Sequence, residues 1–62
     1  MERHEVLALA EQVLKNKARA EYWLFQPSPF LNMQPPIQML DTQTGRDRVE
    51  QLLLSAEAGF AV

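Results

Sequence analysis

Cysteine is absent from this chain, and histidine occurs once, at His4. The first absence excludes disulfide staples and thiolate metal sites, and a lone imidazole cannot assemble a zinc site. No long apolar run exists. The longest, such as Leu52-Leu53-Leu54, are far too short to span a bilayer, and no secretory signal opens the chain. An excess of positive charge is also missing. The net charge of −2 argues against a protein that works by neutralising phosphates along a nucleic acid. Glycine appears only at Gly45 and Gly59, and all four prolines fall between Pro27 and Pro36. The chain therefore reads as two helical arms joined by a proline-punctuated middle.

What is present is a chain of 62 residues, 47% of them hydrophobic, which is the composition of a folded protein. That length allows one domain, residues 1–62, with a thin core. Domains this small usually need a disulfide, a metal or a partner subunit. With the first two excluded by composition, association is the remaining support. A cytoplasmic location is the default expectation.

Helical spacing dominates the pattern, and the period-two alternation of strands is missing. The first helix is predicted from about Glu2 to Leu14, with Val6, Leu9, Ala10 and Val13 on one face and Leu7 and Leu14 widening it. Asn16 is placed to cap a second helix, about Lys17 to Phe25, whose apolar face is Ala20, Trp23 and Leu24. Pro27 ends it. Ser28-Pro29 opens a short turn carrying Phe30 and Leu31, and Asn32 reverses the chain. Pro36 starts another short helix with Ile37, Met39 and Leu40. The last helix is predicted from about Gln43 to Ala58, capped by Thr42, or else by Thr44, with Val49, Leu52, Leu53 and Ala56 facing inward. Gly59 is its left-handed stop, and Phe60 is expected to fold back onto Leu54. The fold class is all-α: a small bundle of two longer and two or three short helices, packed round Trp23.

The series Ala20-x-x-Trp23-Leu24, Pro27, Leu31, Pro36, Leu40, Thr42, Gly45, Val49, Leu52 and Gly59 resembles the toxin-binding domain at the C-terminus of Xre/MbcA/ParS antitoxins. The resemblance runs from about Ala10 to Ala61, and its strength lies in the order of the pieces rather than in any one of them. Two local departures occur. Asn32-Met33 stands where the family usually has glycine, and Lys15 stands where it often has glycine. Typical members also carry a helical DNA-binding region before this domain. These 62 residues leave no room for one, so operon autorepression is not expected.

The resemblance implies an antitoxin that binds a toxin of the RES type or its ParT relatives, enzymes that consume NAD or use it for ADP-ribosylation. It also implies that the C-terminal end lies against the toxin and obstructs its active-site entrance, which implicates Gly59, Phe60, Ala61 and Val62. Arg46 and Arg48 are candidate contacts because arginine is enriched at interfaces. Leu54, about 140° around the helix from Val49, is either an ordinary exposed leucine or a further contact.

The chain is expected to supply no catalysis and to need no cofactor or metal, because no nucleophile–base pair is visible. Its basic cluster Lys15, Lys17 and Arg19 reads as a solvated face, and direct nucleic-acid or membrane binding is not expected. Homodimerisation is expected from the thin core and the wide stripe of the first helix. The competing function is an oligomerisation module of the same fold with no toxin partner.

Overall fold

The computed structural model describes residues 1–59. Among them, four α-helices and one 3-10 turn follow in order: α1 (Arg3–Leu14), α2 (Lys17–Phe25), the turn Pro29–Leu31, α3 (Pro36–Met39) and α4 (Gln43–Glu57). The all-α expectation holds. The nearest approach to a strand among the described residues is an isolated bridge between Ser28 and Gln34.

Local chemistry sets each boundary. Glu2 precedes α1, and its backbone N–H donates to the Glu5 carboxylate at 2.7 Å, which satisfies a donor the helix cannot. Asn16 caps α2 as expected, accepting from the Arg19 N–H at 3.1 Å. Thr42, rather than Thr44, caps α4 and accepts from the Gly45 N–H at 3.0 Å. Between α2 and α3 the chain makes a pinched loop. The Ser28 carbonyl accepts from Leu31 and Met33, and the Ser28 N–H donates to Gln34. Asn32 turns the chain through the left-handed region, and Met33 adopts it too, at φ 57° and 64°.

The helices form a ring. α1 packs on α4 and α2, and α3 bridges α2 and α4, so α2 and α4 occupy opposite corners. The core inside is aliphatic: Val6 and Ala10 from α1, Ala20 and Leu24 from α2, Leu31 and Leu40 from the connections, and Val49 and Leu53 from α4. Pro36 is buried beneath them.

Trp23 does not sit at the centre of this core, contrary to the sequence expectation. It is partly buried and packs against the core's edge. Ala20 and Leu24 define the inward direction of α2, and Trp23 lies about 80° around the helix from it at 100° per residue. Leu52 is also partly buried, while Leu53 beside it is fully enclosed. Pro27 is exposed: it ends α2 from outside.

Candidate functional site

The residues singled out for partner contact lie along α4, and the helix separates them into two groups. Thirteen residues at 1.5 Å each put Arg46 and Gly59 roughly 20 Å apart along its axis. A single small contact cannot cover both ends.

The first group sits where α4 starts. Gly45 is buried there, and a Cβ on it would fall on the Met39 backbone carbonyl. Glycine thus lets the end of α3 approach α4 at backbone distance. Arg46 follows and clasps this corner. Its Nε donates to the Met1 carbonyl and its Nη1 to the Leu40 carbonyl, each at 3.0 Å. The lead into α1, the end of α3 and the start of α4 are joined by one planar guanidinium, whose fixed fork of donors suits such bridging. Two of its donors are therefore engaged within the chain. Arg48, two residues on, is exposed.

The second group sits where α4 ends. The Ala58 N–H donates to the Leu54 carbonyl at 3.0 Å, and the Gly59 N–H to the Ala56 carbonyl at 3.1 Å. Gly59 takes φ +106° with open space on its side-chain face. That backbone is accessible to glycine and strained for other residues. Leu54 is 40% exposed and forms an apolar spot one turn before the stop. Phe60, Ala61 and Val62, and with them the expected closure of Phe60 on Leu54, lie outside the described residues.

The α2 corner carries a surface that the sequence pattern did not single out. Tyr22, Phe25, Phe30 and Met33 are all more than half exposed. Beside Phe25 opens a cleft of about 300 Å³ with a floor of Leu7, Ala20, Leu24 and Ile37 and walls that include Glu11, Lys17 and Glu21. The signal was present: Tyr22 and Phe25 fall outside the inward stripe set by Ala20 and Leu24. Among the described residues no group of three or more His, Asp or Glu is placed to hold a metal ion. No described helix is long and apolar enough to cross a membrane.

The model of the antitoxin Xre/MbcA/ParS C-terminal toxin-binding domain matches residues 9–59. Antitoxin Xre of Pseudomonas putida is 35% identical over 57 residues. The match covers 92% of this chain but 36% of that protein, so the chain spans well under half of its relative's length. No solved structure matches the chain significantly.

Proposed function

This chain belongs to the family of Xre/MbcA/ParS C-terminal toxin-binding domains, and from that premise we propose that it acts as an antitoxin by covering the active-site entrance of a RES-type or ParT-type toxin. The toxin is a bacterial, cytoplasmic, NAD-consuming enzyme. The antitoxin contributes shape rather than catalysis, holds no cofactor and excludes substrate from the pocket.

The observation that carries this reading is the exposed end of α4. Leu54 offers an apolar contact, and Gly59 redirects the chain through a positive φ with open space around it. A contact of this kind places Gly59, Phe60, Ala61 and Val62 at the pocket mouth, with Leu54 and Arg48 against its rim. Arg46 supports the surface from within by holding the start of α4 to Met1 and Leu40.

Co-expression with a RES-type toxin tests the proposal. Growth rescue together with co-purification of the two chains is expected. Absence of both, with the chain folded, would reject it. The competing reading, an oligomerisation module with no toxin, draws on the exposed aromatic residues of α2 and would then take its place.

A further inference from the structure

We propose that the lead into α1 is a strap: Met1, held by Arg46, couples the first turn of α1 to the first turn of α4, and withdrawing it loosens the start of α4. The coupling belongs to the domain itself and does not rest on the toxin reading.

Neither first turn is anchored by apolar burial. Residues 1–5 are all exposed, and the first buried side chain of α1 is Val6. Asp41, Thr42, Gln43 and Thr44 are exposed as well. Gly45 is buried but brings no side chain, and the first fully buried side chain of α4 is Val49. The aliphatic core joins α1 to α4 only further along both helices. Segments with few buried apolar contacts open at low free energy, so whatever ties these two turns together sets how readily they open.

A polar link supplies the tie. Arg46 lies in the first turn of α4, and its Nε donates to the Met1 carbonyl and its Nη1 to the Leu40 carbonyl, each at 3.0 Å. Met1 and Leu40 lie outside the helices, so neither carbonyl belongs to a helical ladder. The charged donor strengthens both bonds, and the guanidinium is one rigid plane, so it cannot follow one carbonyl without moving against the other. The two bonds differ in reach. The Leu40 bond is partly buried and spans six positions, whereas the Met1 bond is exposed and spans 45. The Met1 bond is therefore the releasable one. Arg3 and Asp41, 3.8 Å apart and 50% and 81% exposed, run beside it from α1 to the connection between α3 and α4. So exposed a pair guides the strap more than it holds it.

The corner has no slack to absorb a change at Arg46. A Cβ on Gly45 would fall on the Met39 carbonyl, so α3 and α4 already meet at backbone contact. Thr42 accepts from the Gly45 N–H through its hydroxyl and from the Arg46 N–H through its carbonyl, at 3.0 and 2.9 Å. Release of the strap is thus felt first by the Gly45 and Arg46 amides.

Amide hydrogen exchange read by NMR tests the proposal on the full chain, on Arg46→Met and on a synthetic chain that begins at Glu2. Omitting Met1 removes the carbonyl that Arg46 holds. It leaves the Glu2 nitrogen to donate to the Glu5 carboxylate and the Glu2 carbonyl to accept from Glu5 and Val6. Loss of Met1 should lower protection of the Gly45 and Arg46 amides roughly three- to tenfold, the worth of one hydrogen bond. Arg46→Met should do the same to the Glu5 and Val6 amides, since coupling is reciprocal. The Met33 and Ala58 amides, bonded far from the strap, should keep their protection when Met1 is omitted. Omitting Met1 from Arg46→Met should add little, because both changes break the same bond. Met1 is not a core residue, so its loss reports on the strap even where Arg46→Met destabilises the whole fold. An effect of Met1 confined to α1 overturns the proposal. So does a uniform fall that includes Met33 and Ala58, or a full further loss when the two changes are combined.

Discussion

The helices at opposite corners of the ring, α2 and α4, bury comparable inner faces and present opposite outer ones. α4 turns Asp47, Arg48, Gln51 and Ser55 to solvent, with Leu54 as its one large apolar group. α2 turns Ala18, Tyr22 and Phe25 outward. The start of α4 is anchored by the Thr42 cap and the Arg46 clasp, whereas its end stops at Gly59 with open space beside it. The comparison teaches that residue size does not decide what is inside. Two small residues, Ala10 and Ala20, are fully buried on the helices α1 and α2 that pack together, and the larger rings are left outside the aliphatic core.

The largest expected effect comes from the core that both helices share. Leu53→Ala should cost ~2–5 kcal/mol, against a total stability of roughly 3–9 kcal/mol for a domain of this size. A thermal melt followed by circular dichroism should show most of the fold lost, and a near-native melt would refute the aliphatic core. Trp23→Ala should cost less, about 1–2 kcal/mol, because its ring is only partly removed from water. Urea titration showing a loss as large as that of Leu53→Ala would move Trp23 into the core and erase the contrast between the two corners.

Arg46→Met should lose about 1–2 kcal/mol from two hydrogen bonds to carbonyl groups, while Arg48→Ala should leave stability within ~0.5 kcal/mol. Paired urea titrations read this difference, and equal losses would contradict the division between a clasping and an exposed arginine. The smallest effect is a gain. Lys15 ends α1 at φ 60°, a conformation costly for residues other than glycine. Lys15→Gly should stabilise the domain by roughly 0.5–1 kcal/mol, the strain relieved less the added freedom of the unfolded chain. An unchanged or lowered melting temperature would show that Lys15 is not strained.

Much of this fold was legible because its punctuation is local. Asn16, Thr42, Pro27, Pro36 and Asn32 act within four residues of themselves, so their consequences follow from the chain alone. The features that required three dimensions are those acting between elements. The Arg46 clasp reaches Met1 across 45 positions. Gly45 matters through a carbonyl on another helix, whereas the pattern presented it only as a residue near a helix start. Trp23 is expected at the centre because large aromatic side chains dominate small cores, but of the face Ala20, Trp23 and Leu24 only the two smaller residues are fully enclosed. Of the candidate contacts, Gly59 and Leu54 are found together at one end of α4, and Arg46 is found at the other.

We propose that the end of α4 blocks an enzyme. The most direct test measures NAD turnover by a RES-type toxin with the full chain and with a chain ending at Gly59. The full chain is expected to abolish turnover, and removing Phe60–Val62 is expected to restore much of it, with the melting temperature of the truncated chain unchanged. Undiminished inhibition by the truncated, folded chain would contradict it.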